Sequence, residues 1–554
     1  MAGKDTARLC EKIVRSHFGP IAGKVANALL NRGRLQLPML IRFTGLKPSL
    51  VRATLIALIQ HNIVWHAEDQ VDGEVVEIDW EECLARLRFG KMLAIAKEKF
   101  GTPGLEIVST ILDHGKLKLP DILRLLGKDT NSRDSDIYSQ VALELLTSSH
   151  LRLSTPESHI SPRDKLIRYE AEERKKHVGI VAPKDARQFR TIAEARIRRE
   201  REEAEAPSVG IIKRKGKNKE SNGRSKKDFL QVTASQRQVV EEDAIDPEAY
   251  LKVNYAKFNV HLIESAARDR FNNEAALVLR GVIKSCESKM THLDEVRSDP
   301  VPTNQISQHL PEKARLERGL DLSNASSGTS AVREFVSILA CADNPTPWGV
   351  AGAFLSTSAG AGGGGGKVSI EFEAITKRLK RGVLEGAVRD RWGDHACRIL
   401  RVLDEKGKLH EDHIAQIAML APNDVRVIVN TLNSANIVAL QEVPKSADRQ
   451  PARTIYLWYI DPARAHATVL AALHSTLGNC VERVCVEQQR VQSILDKRDR
   501  SDVAGDEGRL DRGEREDLRD WEAKRDKLMV LTHRVEEAAF VLGVLPAVFE
   551  TDTK

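Results

Sequence analysis

The six-residue segment GRLQLP at positions 33–38 returns as GKLKLP at positions 115–120. In both places a glycine ends an apolar helical stripe and a proline opens the next helix, where its missing N–H group costs nothing. A third stretch, GKL at 407–409, stands at the same place between two helical segments. Self-similarity of this kind predicts a repeated supersecondary unit instead of one large fold.

The first copy indicates which unit is repeated. Gly45 breaks the chain after a short second helix, and a third helix opens at Pro48 with apolar residues at helical spacing. Two β-rich runs follow and are joined at Asp72-Gly73, a pair that supplies the positive φ angles of a tight hairpin. Three helices followed by a hairpin is the element order of a winged helix.

The whole chain is too long for one core, so we expect several domains. We predict a mainly α fold with small β wings: four tandem winged-helix domains, then a C-terminal antiparallel helical hairpin or coiled coil. A glycine-rich stretch interrupts the third winged helix. The expected boundaries are 1–85, 86–168, 244–385 and 386–463 for the winged helices, 169–243 for a charged, partly disordered linker, and 464–554 for the helical hairpin.

The C-terminal segment carries two apolar seams whose members recur in steps of three and four, as in a coiled coil. The charged, glycine-containing stretch between the seams predicts the tip of a hairpin. The alternative is a pair of ordinary amphipathic helices packed on the last winged helix. The residues expected in the seams are Leu470, Leu473, Leu477, Val484, Val491, Ile494, Leu518, Trp521 and Leu528.

The expected linker contains a basic run with eight Lys or Arg residues and the single acid Glu220. Such a run is typical of a solvated linker. It also fits a nuclear localisation signal or an arm that contacts nucleic-acid phosphate. The basic residues are Lys213, Arg214, Lys215, Lys217, Lys219, Arg224, Lys226 and Lys227.

Several functional classes find no support in the sequence. The seven cysteines are scattered and form no C-x-x-C pair, so we expect reduced core thiols and no zinc site. AGAGGGGGKVS is not a phosphate-binding loop, because Ala361 replaces its first glycine and Val368 replaces its hydroxyl residue. We expect no catalysis and no cofactor. No run approaches the ~18 apolar residues of a membrane span, so no membrane association is expected.

A winged helix usually places its third helix in the DNA major groove and its wing along the phosphate backbone. Lys and Arg residues near these positions are therefore candidates for DNA binding. The third helix of the last copy is largely apolar, which favours protein contact for that copy. The candidate DNA-binding residues are Arg34, Lys47, Arg52, Lys116, Lys118 and Arg426.

The tandem winged helices, the opening segment LCEKIVRSHFGPIAGKV, the charged insertion and the terminal hairpin together resemble the winged-helix subunit of the peripheral initiation heterotrimer of RNA polymerase III. The similarity covers nearly the whole chain and is strongest over residues 9–65 and 392–461. Members of that family resemble the alpha subunit of the general transcription factor IIE in using tandem winged helices.

This resemblance implies a non-catalytic subunit of DNA-directed RNA polymerase III that acts in transcription initiation in the nucleus. Its implied partners are other polymerase subunits, including two smaller heterotrimer partners and the clamp of the largest subunit. The resemblance further implies a link to the promoter-bound initiation factor TFIIIB and a role in binding and opening promoter DNA.

The alternative is a free-standing winged-helix DNA-binding transcription regulator. The long helical hairpin and the scarcity of base-reading side chains count against it. A polymerase subunit should bind DNA weakly, with strong salt dependence and little sequence preference, whereas a regulator should prefer one site by ~10³-fold or more.

Overall fold

The computed structural model of the protein describes residues 3–69, 73–128, 133–176, 183–204, 211–215, 241–259, 273–286, 297–310, 328–341, 344–346, 349–351, 353–358, 366–444, 454–500 and 510–545. The chain forms two compact units. The first contains Met1–Thr54, Trp80–Arg88 and Asn259–Lys554, and the second contains Leu55–Asp79 and Phe89–Phe258.

The first copy of the repeat has the predicted element order. Its elements are α1 (Lys4–Arg32), β1 (Leu35–Gln36), α2 (Leu37–Thr44), α3 (Pro48–Gln60), β2 (Val64–Asp69) and β3 (Gly73–Ile78). Gly33 and Gly45 end helices, as the sequence predicted, and both have positive φ angles, 76° and 64°. Strands β2 and β3 form an antiparallel hairpin in which Val64 pairs with Ile78. A short helix, α4 (Trp80–Ala85), follows in the first unit.

The second copy lies in the second unit, and the strand that completes its wing is not the next strand in sequence. Its elements are α5 (Phe89–His114), β4 (Leu117–Lys118), α6 (Leu119–Leu125), α7 (Arg133–Thr147) and β5 (Leu151–Leu153). The strand that pairs with β5 is distant in sequence, because Leu151 lies opposite Val253. The intervening chain forms α8 (Pro162–Lys176), α9 (Pro183–Ala204), and the strand pair β6 (Ile211–Lys215) and β7 (Glu241–Ile245) before β8 (Tyr250–Val253).

The expected linker at 169–243 therefore lies inside the wing of the second copy. Strand β8 bonds to both β4 and β5, which makes a three-stranded sheet. The boundaries expected from the sequence stay predictions. The pairing shows that the second copy needs residues on both sides of the charged segment.

A related arrangement occupies the next part of the chain. Its elements are α10 (Asn273–Cys286), β9 (Val301–Pro302), α11 (Thr303–Gln308), α12 (Gly328–Ala340), β10 (Asn344–Thr346), β11 (Gly349–Ala351), β12 (Leu355–Ser358) and β13 (Lys367–Ile370). Strands β12, β13 and β9 form one sheet, so the glycine tract connects two paired strands. The sequence KVSIEFEAI reads as β-like throughout, but the strand ends at Ile370 and a helix begins at Phe372.

The C-terminal winged helix follows next in the chain. It is built from α13 (Phe372–Lys406), α14 (Glu411–Ala418), α15 (Pro422–Ser434) and the paired strands β14 (Val438–Pro444) and β15 (Thr454–Ile460). Apolar side chains from all three helices and both strands form its core, including Leu400, Ile414, Val429, Val438 and Trp458.

Two long helices, α16 (Pro462–Arg498) and α17 (Arg512–Gly543), form the predicted antiparallel hairpin. Lys497 near the end of α16 pairs with Glu514 at the start of α17, while Gly543 at the other end packs against Leu470. Of the predicted seam residues, Leu477, Val491, Leu518 and Trp521 are buried, and Leu470, Leu473, Val484, Ile494 and Leu528 are half-buried.

The repeat is visible in the backbone as well as in the sequence. The first, second and C-terminal copies share four positive-φ positions: a kink in the first helix, the turn after it, and the ends of the second and third helices. These residues are Gly19, Gly33, Gly45 and Asn62; Gly101, Gly115, Gly127 and Ser149; and Gly393, Gly407, Met419 and Asn436. The same local backbone is therefore built three times from different sequences.

Candidate nucleic-acid interface

The first copy carries an unbroken run of positive charge. Residues 12–67 contain eight Lys or Arg and no Asp or Glu, although 79 of the 554 residues of the chain are acidic. Six of the eight cations are exposed: Arg15, Lys24, Arg32, Arg42, Lys47 and Arg52. A surface with cations and no neighbouring acids in sequence attracts polyanions such as nucleic acids.

Two of the residues predicted from the sequence stand at the third helix of this copy. The carbonyl oxygen of Lys47 accepts hydrogen bonds from the amides of Leu50 and Val51 at 3.0 and 3.2 Å, so Lys47 caps the start of α3. Arg52 is exposed on the same helix. Lys47 lies directly before α3 and Arg52 lies in its second turn, so both are near the positive end of the helix dipole, which attracts phosphate.

The other third helices carry acids. Helix α3 has none, whereas α7 contains Asp134, Asp136 and Glu144, α12 contains Glu334, and α15 contains Asp424. An acid on the groove-facing helix repels DNA phosphate and requires desolvation. Among these third helices, the first copy therefore offers the most favourable surface for nucleic acid.

The wing of the first copy is unsuited to phosphate. Glu68 on β2 lies directly opposite Glu74 on β3, and both side chains are exposed. Like charges in such a cross-strand pair repel each other and would also repel a DNA backbone. Phosphate contact by this copy would therefore depend on its helices.

Lys116 is the clearest case in which a candidate cation faces inward. Its side chain is only 7% exposed, and its Nζ atom lies 3.2 Å from Nε2 of His159. Burial, together with the nearby charge of Lys116, lowers the pKa of His159 to about 4. Lys116 would have to leave this contact to reach a phosphate. The sequence missed this because the orientation of the side chain depends on residues distant in the chain.

The charges of two more candidates are compensated within the protein. Lys118 pairs with Glu248 at 2.5 Å, and this hydrogen bond raises the pKa of Lys118. Arg426 pairs with Glu411 through Nε and Oε1 at 2.8 Å. Arg34 is half-buried in the turn between α1 and β1. DNA contact by these residues remains a prediction.

Sequence reasoning missed a groove next to α2. The guanidinium of Arg32 lies 3.8 Å from the ring centroid of Phe43, and both side chains are exposed. The groove they line has a volume of about 370 Å³ and also contains Lys24 and Asn31. The acid-free run in the sequence was the signal that could have identified this surface.

Helix α1 is fixed to the helical hairpin within the first unit. Lys12 donates a hydrogen bond from Nζ to the carbonyl oxygen of Gly478 at 3.0 Å and pairs with Glu482 at 2.5 Å. Thr6 Oγ1 and His474 Nδ1 are 2.9 Å apart. These contacts hold the α1 portion of the basic copy against α16.

The basic run of the linker is only partly described. Lys213, Arg214 and Lys215 belong to strand β6, and the five remaining residues of the predicted signal, from Lys217 to Lys227, lie outside the described residues.

All seven cysteines have free thiols. Five are buried, but Cys341 is exposed and Cys485 is half-buried, so the expectation of core thiols is wrong for these two.

The described part of the chain contains no group of three or more His, Cys, Asp or Glu side chains placed to hold a metal ion. No helix within the same residues is long and apolar enough to cross a membrane.

Three family models match the chain in sequence order and together cover more than half of it. They are described as the RNA polymerase III subunit RPC82 helix-turn-helix domain (residues 8–69), RNA polymerase III subunit RPC82 (residues 143–343), and the POLR3C C-terminal winged-helix domain (residues 384–460).

Full-length relatives show the same similarity. The protein named DNA-directed RNA polymerase III subunit rpc3 of Emericella nidulans is 28% identical to this chain, and the alignment covers 98% of the chain and 100% of that protein. Subunit RPC-3 of Coccidioides immitis is 25% identical, with 97% and 99% covered. Subunit rpc3 of Aspergillus clavatus is 27% identical, with 98% and 100% covered. With its winged helices and helical hairpin, the chain belongs to the RPC82 family, whose members in these fungi are named RNA polymerase III subunit RPC3.

Proposed function

We propose that this chain is a non-catalytic subunit of DNA-directed RNA polymerase III that acts in transcription initiation in the nucleus. The observation that carries the proposal is the similarity along nearly the whole chain to proteins named as that subunit. The fold supports it, because winged helices present surfaces for nucleic acid and protein.

The charge distribution favours contact with DNA by one copy and contact with protein by the others. The first copy, with an acid-free third helix and exposed Lys47 and Arg52, is proposed to contact promoter DNA. Arg52 is the only side chain on the exposed first turns of α3 that could read a base in a bidentate manner. We therefore expect mainly phosphate contacts, with little sequence preference and strong salt dependence.

The proposed protein partners are two smaller heterotrimer subunits, the clamp of the largest polymerase subunit, and the promoter-bound initiation factor TFIIIB. The acidic wing of the first copy and the acid-bearing third helices of the other copies support protein contact over DNA contact at those surfaces. Through these contacts the chain would link the polymerase to its promoter and help hold opened DNA.

Affinity purification of the tagged full-length chain at moderate salt, followed by mass spectrometry, tests the proposal. Stoichiometric recovery of the large subunits of RNA polymerase III is expected. Recovery of the chain alone, or with chromatin fragments only, would contradict the proposal and favour a free-standing DNA-binding regulator.

A further inference from the structure

The C-terminal winged helix exposes three large apolar side chains on its helix-turn-helix. Ile417 is 44% exposed, Met419 is 83% exposed and Val427 is 64% exposed. Val425 and Val429, on either side of Val427 in α15, are buried in the core, so Val427 faces away from it. We call Ile417, Met419 and Val427 the Met419 face.

Met419 occupies a backbone position that suits glycine. It ends α14 in the left-handed conformation, with φ 52° and ψ 49°. The residues at the same distance from the turn glycine in the first and second copies are Gly45 and Gly127, with φ angles of 64° and 66°. A side chain with a Cβ atom is disfavoured in this conformation relative to glycine.

The folded chain gains little from this methionine in return. A side chain that is 83% exposed makes few packing contacts, and it leaves apolar surface in water. The position therefore carries a backbone cost that burial of the side chain does not offset. A contact outside the chain that covers the thioether would offset this cost, and methionine is well suited to adaptable protein contacts.

The charge around the Met419 face indicates what kind of partner fits. Helices α14 and α15 contain the acids Glu411, Asp412 and Asp424 and one cation, Arg426. A second cation, Arg398 of α13, donates a hydrogen bond to the carbonyl oxygen of Ala418, next to Met419, at 3.3 Å. Arg426 is already paired with Glu411 at 2.8 Å. Three acids against two cations leave this surface with one excess negative charge, which disfavours nucleic acid and favours a positively charged partner.

We propose that the Met419 face binds a segment of another protein of the polymerase assembly, with an apolar side chain that covers Met419 and with flanking Lys or Arg residues that face the acids. The inference rests on the proposed function, because the occupant is taken to belong to that assembly. It adds the surface on this chain and the chemistry of the partner segment.

Substitutions at Met419 separate docking from folding, because they should move the two in opposite directions. In the whole chain, Met419→Gly should leave the hydrogen-exchange protection of α14 and α15 unchanged or raise it, since glycine relieves the backbone. The same variant should weaken binding to polymerase depleted of this subunit by about tenfold, as for an interface hot spot. Asparagine also tolerates the left-handed backbone conformation but has no apolar side chain, so Met419→Asn should weaken binding by a similar factor. Leucine keeps an apolar side chain, so Met419→Leu should retain binding.

Unchanged binding of Met419→Gly and Met419→Asn would overturn the inference. Binding losses that follow losses of folding stability across the three variants would also overturn it, because they would indicate a structural role only.

Photo-crosslinking identifies the occupant. With p-benzoylphenylalanine in place of Met419 in the assembled polymerase, we expect a crosslink to one polypeptide segment that contains apolar and Lys or Arg residues. A crosslink to nucleic acid, a crosslink to a second copy of this chain, or no crosslink in polymerase that contains the chain would each contradict the inference while leaving the subunit assignment intact. If the chain does not copurify with the polymerase at all, the proposed function fails and the inference fails with it.

Discussion

Arg88 and Glu536 form an ion pair that is almost completely removed from water. The Nε atom of Arg88 lies 3.2 Å from Oε1 of Glu536, and the two residues are 4% and 5% exposed. Arg88 also donates a hydrogen bond to Oδ1 of Asn259 at 3.0 Å, and its guanidinium lies 4.9 Å from the ring centroid of Phe540. The pair joins the segment after α4 to the end of the helical hairpin.

Glu536→Gln should destabilise this junction strongly. Removing one partner of a buried ion pair costs ~3–5 kcal/mol, because the remaining charge stays buried without compensation. Asn259 and Phe540 still contact the guanidinium in the variant, so we expect a loss near the lower limit, ~3 kcal/mol. Hydrogen exchange of residues 80–88 and 536–543 in the full chain should measure the loss locally, since a chain of several units need not unfold in one step.

Two controls make this prediction specific. The double variant Arg88→Met/Glu536→Leu removes both charges and should recover most of the protection lost in Glu536→Gln. Glu482→Gln breaks the exposed pair with Lys12 and should have a much smaller effect. If Glu536→Gln accelerates exchange no more than Glu482→Gln does, or if the double variant loses as much as the sum of its single variants, the reasoning is refuted.

Three further predictions concern the second copy and the basic surface. Burial lowers the pKa of His150 from 6.5 to about 3, so below pH 6.5 the unfolded state binds a proton that the folded state cannot. The free energy of unfolding should therefore fall by ~2 kcal/mol between pH 7 and pH 5. In urea titrations, the free energy of unfolding of His150→Leu should depend less on pH than that of the unmodified chain. An equal pH dependence of the two proteins would contradict this prediction. Gly115→Ala would place a Cβ atom 2.2 Å from the carbonyl oxygen of Gln60 at φ +87°, and should cost ~2 kcal/mol or more. An unaltered melting temperature would argue against this close approach. The double variant Lys47→Ala/Arg52→Ala should reduce the dependence of log Kd on log salt for duplex DNA by about 2. An anisotropy titration that shows no change in slope would exclude both residues from phosphate contact.

Local sequence patterns predicted the parts of this fold that depend on neighbouring residues. The helix ends at Gly33 and Gly45 and the hairpin at residues 64–78 follow from backbone preferences and alternation within a few positions. The C-terminal hairpin follows from a long, regular apolar spacing. Such signals can be recognised in a single sequence because the residues that create them are close together in it.

The candidate site was harder to predict, because exposure depends on long-range packing. Lys116 and Lys118 have the same local signal as Arg34 and Gln36, but the structure buries Lys116 against His159 and pairs Lys118 with Glu248. The acid-free run of the first copy was present in the sequence, yet only the structure shows that most of its cations are exposed.

The sequence alone thus determined the repeated unit, its helix breaks and the terminal hairpin, because each depends on φ preferences and apolar periodicity over short distances. Only the tertiary structure decided that β5 takes β8 as its partner across the charged segment, since many strands could satisfy its backbone hydrogen bonds. It also decided that Met419, at a position where two other copies have glycine, faces solvent with most of its surface. Strand pairing at long range and side-chain exposure are set by the complete packing of the chain, and no short segment contains that information.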